Sequence, residues 1–253
     1  MIQISDLHLD RDGQSILHGI DAQIPATGLT AVIGPNGAGK SSLLHVLTGL
    51  QPPSRGTIHV DGTDITTARA PERARLITLL PQSTNSLPRL SVADLVTFGR
   101  WPYHRGRPGP QDRRIVAETL SLFDLSPLAE RRLDSLSGGQ RQRAFIAMAH
   151  AQSTPWMLLD EPLAALDPKF ASDIMRRLQG LSRPSARPRA VVMVLHDLAM
   201  AARYADWVLC LKAGKLVRAG PCAETMTGPV LSELFDTRIA VEALKGRQIV
   251  MVE

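Results

Sequence analysis

Long apolar runs are missing from this chain of 253 residues. No window approaches the roughly 18 consecutive apolar residues that a membrane-spanning helix needs. The two best candidates, residues 156–166 and 190–202, are each interrupted by charge. Asp6 and Asp10 stand where the apolar core of a secretory leader would lie, so the sequence predicts no leader. We therefore expect a chain that does not itself cross a membrane as a helix.

Cysteine and aromatic residues are also scarce. The two cysteines, Cys210 and Cys222, are too few for a disulfide framework, which fits a reducing cytosol. We expect both to be small core or surface residues. Aromatic residues make up 4% of the chain, and none occurs before Phe98. No heptad pattern is sustained and no internal repeat is present, which excludes a coiled coil and a repeat protein.

Positive charge exceeds negative charge by five, but the arginines are spread along the whole chain. A nucleic-acid-binding protein more often concentrates them on one element. The distribution favours a solvated surface with a basic bias, and it is also compatible with docking beside an anionic membrane leaflet. We therefore predict no nucleic-acid partner.

Strands and helices alternate along most of the chain. The apolar patterns predict a mainly parallel sheet with helices on its faces, an α/β fold, and the run 29–33 is apolar on both faces, as in a buried central strand. Strands are predicted at 2–9, 16–24, 29–33, 57–60, 76–80, 156–160, 190–195, 207–211 and 216–219, and a closing hairpin at 239–243 and 248–252 that turns at Lys245-Gly246. Helices are predicted at 41–50, 91–100, 111–123, 139–152, 168–181, 197–204, 224–226 and 229–235.

A phosphate-binding loop joins the third predicted strand to the first predicted helix. Its sequence fits G-x-x-x-x-G-K-[ST], and the strand before it and the helix after it are the context that this motif requires. Glycines let backbone N–H groups wrap phosphates, while Lys40 reaches the terminal ones and the Ser41 hydroxyl can ligate Mg²⁺. The predicted nucleotide-binding residues are Gly34, Pro35, Asn36, Gly37, Ala38, Gly39, Lys40, Ser41 and Ser42.

Polar residues end three other predicted strands. Asp160 and Glu161 follow the apolar run 157–159, and strand ends in a parallel sheet face the ligand crevice. We predict that Asp160 holds the metal, directly or through its water shell, and that Glu161 polarises a water, a role that contributes roughly 10²–10⁴-fold. Gln82 and His196 close two further strands. We expect Gln82 to bridge metal and water and His196 to bond a terminal phosphate.

A second glycine-rich helix start occupies residues 136–140. Ser137 and Gln140 have the spacing of a capping box, and the helix start exposes unpaired N–H groups at the positive end of the helix dipole. This second anion site has no lysine of its own. Two anion sites of different chemistry in one chain suggest a nucleotide shared between two copies.

Together these motifs resemble the ATP-binding cassette (ABC) ATPase family over nearly the whole chain. The similarity rests on an ordered set of motifs and residues, namely GPNGAGKS, Gln82, LSGGQ, LLDEP, Leu166-Asp167 and His196. It implies an N-terminal antiparallel subdomain, a catalytic core of residues 1–82 and 152–253, and a helical subdomain of residues 83–151 that contacts a membrane partner.

The resemblance also implies a head-to-tail homodimer that sandwiches two ATP molecules with Mg²⁺. Each ATP lies between residues 34–42 of one copy and the signature motif of the other, while Asp167 lines the dimer seam. The implied partners are transmembrane permease subunits and, indirectly, a periplasmic or surface substrate-binding protein, with the chain peripheral at the cytoplasmic face of the membrane. The signature residues are Leu136, Ser137, Gly138, Gly139 and Gln140.

Softer likenesses point to one transporter class. The stretches 90–96, 99–103 and 136–148, the Asp160-Glu161-Pro162-Leu163 run and the C-terminal hairpin resemble the ATPases of iron–siderophore importers. Relatives that import haem or cobalamin fit as well. A soluble cassette ATPase acting on nucleic acid or ribosomes is disfavoured by the single cassette, and a degenerate nucleotide sensor by the complete set of catalytic residue types.

Two segments leave alternatives open. The family places an aromatic residue near the end of the first strand to stack on adenine, whereas alignment from Gly13 and Leu17 puts Arg11 there. A guanidinium can stack on a base, or Arg11 can be a solvated turn residue; weak adenine selectivity is the hypothesis. Residues 100–107 interleave basic and aromatic side chains, which suits nucleic acid, a partner helix or a plain loop, and their position favours the partner helix.

Overall fold

The computed structural model describes residues 1–82, 89–164, 166–183, 189–244 and 247–252. Its first layer is an antiparallel sheet in the order β2-β1-β4-β5. The β1–β2 hairpin turns at Asp12-Gly13, where both residues have positive φ, as a type I′ hairpin turn requires. The strands are β1 Ile2–Arg11, β2 Gln14–Ile24, β4 Arg55–Val60 and β5 Thr63–Asp64.

The second layer is a six-stranded sheet in the order β10-β9-β3-β8-β7-β6. Every neighbouring pair is parallel except β9 and β10. Strands β3, β7 and β8 are buried along their whole length, as their continuous apolar sequences predict. The strands are β3 Leu29–Ile33, β6 Ile77–Leu80, β7 Trp156–Leu159, β8 Ala190–Val194, β9 Trp207–Lys212 and β10 Lys215–Pro221.

This core sheet separates two apolar clusters, and alternate side chains of each strand enter opposite clusters. Ala31 of β3 packs with the helices, for example, whereas Val32 packs with the antiparallel sheet and with α1, Lys40–Leu47. Burial on both faces stabilises a parallel sheet at about 25 cal/mol per Å² of apolar surface. The α/β fold class with an N-terminal antiparallel subdomain and a mixed core sheet is therefore confirmed.

A helical insert lies between β6 and β7. Helix α3, Val92–Phe98, packs against α5, Pro110–Leu122, and α6, Gly138–Ala151. Gly99 lets α3 end against α6, because a Cβ on Gly99 would lie 2.1 Å from the Met148 carbonyl oxygen. The insert was predicted as helical, and its three main helices are confirmed.

Two short helices escaped prediction. Helix α2, Ala70–Leu76, ends at a residue that was assigned to a strand, although Pro71 and Glu72 in its first turn are helix-start signals. Glu72 accepts a hydrogen bond from the Arg69 N–H at 3.2 Å. Helix α4, Trp101–His104, lies in what was predicted as a connector. Both helices are too short for an apolar period to reveal them.

The C-terminal part completes the cover of the core sheet. Helices α7, Pro168–Ser182, and α8, Leu198–Tyr204, pack on it, followed by α9, Cys222–Thr225, and α10, Gly228–Phe235. The predicted hairpin is confirmed as β11, Ile239–Leu244, paired with β12, Arg247–Val252, while its predicted turn lies outside the described residues. Both cysteines are buried. Across the described ranges, no helix is long and apolar enough to cross a membrane.

Candidate nucleotide site

The loop between β3 and α1 has a backbone shape that only glycine permits at key points. Gly34 has a φ of 149°, and a Cβ there would lie 1.9 Å from the Leu211 carbonyl oxygen. Gly39 has a φ of 94° and precedes α1 without any side-chain cap. The first-turn N–H groups of α1 are therefore left for an anion, which the positive end of the helix dipole favours.

Lys40 is nearly buried beside this loop. Its ammonium donates hydrogen bonds of 2.9 Å to the carbonyl oxygens of Gly34 and Pro35. Because an ammonium has three donors, one remains for a phosphate. Burial lowers the pKa of Lys40, while Glu161 and Asp160 oppose that shift. An anionic ligand in the cleft would favour the charged form further.

Ser41 and Asp160 meet at the end of β7. The Ser41 hydroxyl donates to Asp160 Oδ1 at 3.1 Å. Burial raises the pKa of Asp160, and the hydrogen bond from Ser41 partly offsets this effect. A desolvated carboxylate next to a hydroxyl is a hard oxygen pair that suits Mg²⁺, which keeps waters and uses few protein ligands. The described residues contain no group of three or more His, Cys, Asp or Glu that could hold a metal.

Two of the predicted residues contact the carboxylate of a third, Glu161. Gln82 Nε2 donates to Glu161 Oε2 at 2.7 Å, and His196 Nε2 lies 2.5 Å from Glu161 Oε1. They follow β6, β7 and β8, which are adjacent in the sheet. Glu161 has a φ of 49°, a strained conformation for a non-glycine residue. The turn after β7 thus directs this carboxylate between the amide and the imidazole.

An open cleft of about 660 Å³ connects these groups. Residues 36–42, Gln82, Glu161 and His196 line it, whereas Gly34 and Pro35 stand behind it as acceptors for Lys40. Ile16 of β2 also lines the cleft, and sequence reasoning missed it. The only signal was its place in the β1–β2 hairpin, three residues after Gly13.

Arg11 is not among the residues that line the cleft. It ends β1, its side chain is largely exposed, and its Nε lies 3.5 Å from Asp12 Oδ2. This position agrees with a solvated turn residue, and contact between Arg11 and a base stays a prediction. Ile16 is the apolar side chain that the structure presents to a ligand on this wall.

The second glycine-rich helix start has the predicted capping box. Ser137 Oγ accepts a hydrogen bond from the Gln140 N–H at 3.3 Å, and Gln140 Oε1 accepts one from the Ser137 N–H at 3.2 Å. Leu136 is buried, while Ser137 and Gly138 are exposed. Asp167 caps α7 by accepting from the Phe170 N–H at 3.0 Å and is also exposed. None of these residues lines the cleft of the same chain.

The chain is similar to proteins of one known family. Residues 17–164 match the family described as "ABC transporter". The chain is an ATP-binding subunit of this family. The petrobactin import ATP-binding protein YclP of Bacillus subtilis (strain 168) is 36% identical to it over 98% of each chain. The ferric enterobactin transport ATP-binding protein FepC of Escherichia coli (strain K12) is 37% identical over 90% of this chain and 84% of the relative.

Solved structures agree with this membership. An inward-facing conformation of a metal-chelate type ABC transporter covers 100% of the ABC subunit with a TM-score of 0.84 and 26% identity, and 96% of that chain is matched. The dimeric post-hydrolysis state of the cassette MJ0796, bound to ADP and Pi, has a TM-score of 0.78 and 27% identity over 88% and 99% of the two chains. The ABC subunit is thus an ATPase of a family whose cassettes form dimers and join membrane subunits.

Proposed function

We propose that this ABC ATPase powers an importer for an iron(III)–siderophore or a related metal chelate through a separate transmembrane dimer. The observation that carries the ATPase assignment is the Glu161 carboxylate, held by Gln82 and His196 at the mouth of the phosphate-loop cleft. The similarity to importer subunits such as those for petrobactin and ferric enterobactin supports the cargo class.

We assign phosphate binding to the loop between β3 and α1 and to Lys40. The N–H groups of residues 36–42 surround the phosphates, and the remaining N–H donor of Lys40 reaches the terminal one. The two carbonyl bonds of Lys40 fix its ammonium in place. A preorganised donor stabilises developing charge without reorganisation during the reaction.

Mg²⁺ would be held by Ser41, Asp160 and Gln82. When bound, the ion neutralises charge on the transferring phosphate. The Ser41–Asp160 hydrogen bond preorganises two of these oxygen ligands. The buried Asp160 carboxylate has no ion pair among the described residues, so a bound cation would relieve its desolvation.

Glu161 is the proposed base. Its carboxylate accepts a proton from the attacking water, and Gln82 and His196 orient it. Gln82 and His196 each contact one oxygen of this carboxylate, and each oxygen keeps a lone pair for the attacking water. With Mg²⁺ and ATP bound, Gln82 would also hold the metal and His196 would bond the terminal phosphate.

A second copy completes the site. The exposed signature residues of one copy bind the phosphates in the cleft of the other, and Asp167 lies at the seam between them. The exposure of Ser137, Gly138 and Asp167, away from their own cleft, supports this arrangement. We propose a homodimer that closes on two ATP molecules and reopens after hydrolysis.

The helical subdomain is proposed to be the membrane-facing part. We assign residues 83–151 to it and residues 1–82 and 152–253 to the catalytic core. Phe98 and Trp101 stack with ring centroids 5.5 Å apart and are both exposed, which suits docking of a permease segment. The chain would then lie peripherally at the cytoplasmic face, and a substrate-binding protein would reach it only through the permease.

Haem is the second candidate cargo. The hemin import ATP-binding protein HmuV of Streptomyces coelicolor is 39% identical over 93% of this chain and 83% of the relative. Cobalamin stays a further alternative cargo, because the sequence motifs fit its importers as well. Cargo never contacts this subunit, so its residues do not discriminate among the chelates.

The test is to identify the membrane protein that co-purifies with the chain, reconstitute the complex with its binding protein, and measure ATPase stimulation. A ferric siderophore is expected to raise the rate above that of the unloaded binding protein. Stimulation by haem or cobalamin alone would replace the cargo class and keep the ATPase assignment. Co-sedimentation with ribosomes and no membrane partner would contradict the transport function. The Lys40→Ala complex serves as the inactive control.

A further inference from the structure

A second cavity lies at the other end of α6 from the signature motif. This groove of about 880 Å³ is formed where α4, α5 and the end of α6 meet the segments that precede β7 and β8. Its volume is in the range of small-molecule sites. Helix α6 has 14 residues, so the groove lies about 21 Å from Ser137 at 1.5 Å per residue. The groove shares no lining residue with the nucleotide cleft.

Two guanidinium groups hold the end of α6 inside this groove. Arg100 donates to the Ala151 carbonyl oxygen at 3.1 Å, and Arg189 donates to the His150 carbonyl oxygen at 3.0 Å. Cations at a helix C-terminus are favourable because the last carbonyl groups carry partial negative charge. The two side chains are therefore close neighbours of like charge, fixed on consecutive carbonyl groups.

The charges that line the groove do not balance. Asp112 pairs with Arg100 at 3.1 Å, and Glu118 pairs with Arg114 at 3.8 Å. Arg189 forms no ion pair with a carboxylate in the part of the chain that the structure describes. The groove is thus lined by three arginines and two carboxylates. The arginine without an ion pair is Arg189, and among the three only Arg100 is more buried.

His150 adds an acceptor instead of a further positive charge. Its Nδ1 lies 2.6 Å from the Arg189 guanidinium. Burial, reinforced by Arg189, lowers the pKa of His150 to about 3, so the ring is neutral at physiological pH. Burial also lowers the pKa of Arg189, to about 10. The guanidinium therefore stays charged, with only neutral partners and a helix end to balance it.

One edge of the Arg189 guanidinium is without a partner among the described residues. Both of its described hydrogen bonds leave from the same terminal nitrogen. The Nε and the other terminal nitrogen are not among the buried polar atoms left without a partner. That edge of a guanidinium is the one that binds two oxygens of a carboxylate or phosphate side by side.

We propose that this groove is a binding site for a small oxyanion, a molecule that presents a carboxylate or phosphate group to Arg189. Tyr103 forms part of the wall by stacking on Arg100, with the guanidinium carbon 3.9 Å from the ring centroid. Arg114, exposed at the rim, supplies a further cation. The ligand would neutralise the excess charge at the end of the helix that begins with the signature motif.

The test is isothermal titration of the full chain with succinate and, separately, with inorganic phosphate. The nucleotide cleft is kept filled with a non-hydrolysable ATP analogue and Mg²⁺, so that the terminal-phosphate position is occupied and free phosphate cannot bind there. At least one probe is expected to bind with a Kd of about 1 mM or tighter, and the tighter probe identifies the oxyanion. The Arg189→Gln variant is expected to weaken binding at least about tenfold, because the bidentate donor is lost.

The control is Arg113→Gln, since Arg113 lies on α5 beside the groove but bonds the Pro108 carbonyl oxygen and does not line the groove. Its affinity is expected to equal that of the parent chain. If Arg189→Gln does not fold, Arg114→Gln at the rim is expected to weaken binding about threefold. Failure of both probes to bind up to about 10 mM, or equal affinity in the arginine variants of the groove, would overturn the proposal and leave Arg189 as a cap of α6.

Discussion

Asp160 illustrates how a functional residue costs stability in the free protein. Burial raises the pKa of its carboxyl above the ordinary value of 3.8. The folded state therefore holds this proton more tightly than the unfolded state, so stability falls as the pH rises from 3.8 through the folded pKa. At neutral pH the nucleotide-free protein bears the full cost of a desolvated carboxylate, which a metal ion would relieve.

We predict that Asp160→Asn makes the nucleotide-free chain more stable at pH 7, because the amide carries no charge to desolvate. The gain should shrink as the pH falls towards 3.8. Urea denaturation in EDTA between pH 4 and 8, read as the free energy of unfolding, measures it. Asp10→Asn, an exposed change, should show no such trend. A less stable Asp160→Asn chain at pH 7 would contradict the desolvation argument.

A substitution at Glu161 is expected to separate ATP binding from ATP hydrolysis. We predict that Glu161→Gln binds ATP as tightly as the parent chain but hydrolyses it roughly 10²–10⁴-fold more slowly, because the amide cannot accept the proton of water. Phosphate release and equilibrium ATP binding measure the two effects. The same variant should accumulate as an ATP-bound dimer in size-exclusion chromatography.

The matched control is Glu130→Gln, an exposed glutamate outside the cleft. It should leave both binding and turnover unchanged. Near-normal phosphate release by Glu161→Gln would remove Glu161 from its assigned role and direct attention to His196.

At the scale of elements, α3 and α6 begin in the same way. Ser91 and Asp94 form a capping box at α3, as Ser137 and Gln140 do at α6. A serine cap stabilises a helix by about 1 kcal/mol. Both caps satisfy N–H groups at a helix start, so loss of turnover in only one cap variant would point to what the exposed start of α6 binds.

We predict that Ser137→Arg leaves ATP binding by the monomer intact and abolishes dimer closure and turnover, because a bulky cation blocks the surface that meets the partner's nucleotide. ATP binding, dimer formation and phosphate release are measured on the same preparation. Ser91→Arg, which removes the equivalent cap of α3, should cost similar thermal stability without abolishing turnover. Loss of monomer ATP binding in Ser137→Arg would refute a contact made only across the dimer.

At the scale of the whole molecule, one exposed aromatic pair marks the helical insert. Trp101 is 50% exposed and Phe98 53% exposed, in a chain where aromatic residues are few. Exposed aromatic side chains are typical anchors of protein interfaces. Trp101 lies on α4 and does not line the nucleotide cleft. A role of Trp101 in docking can therefore be tested separately from ATP binding.

We predict that Trp101→Ala weakens association with the co-purifying permease by about 2 kcal/mol, or roughly 30-fold in Kd. The ATPase rate of the isolated chain should not change. Surface binding to the permease in detergent or nanodiscs measures the first effect. Leu244→Ala, which removes another exposed apolar side chain from the C-terminal hairpin, should bind the permease like the parent chain.

Much of the architecture was readable from the sequence because its signals are local. Continuous apolar runs predicted β3, β7 and β8, and the glycine pattern predicted the phosphate loop. Capping residues predicted the start of α6. Helices α2 and α4 were missed because a helix of two turns or fewer has no period to detect and depends on neighbouring contacts, as where Arg75 lies over the Tyr103 ring.

The sequence by itself determined which groups carry the chemistry, because residue types such as Lys40, Asp160 and Glu161 follow strands in recognisable motifs. Only the tertiary structure decided how they meet. Gln82, Glu161 and His196 are far apart along the chain, and the order β8-β7-β6 of the sheet brings them to one edge. Hairpin geometry likewise placed Ile16 on the cleft wall. Contacts of this kind depend on strand order and packing, which no local pattern encodes.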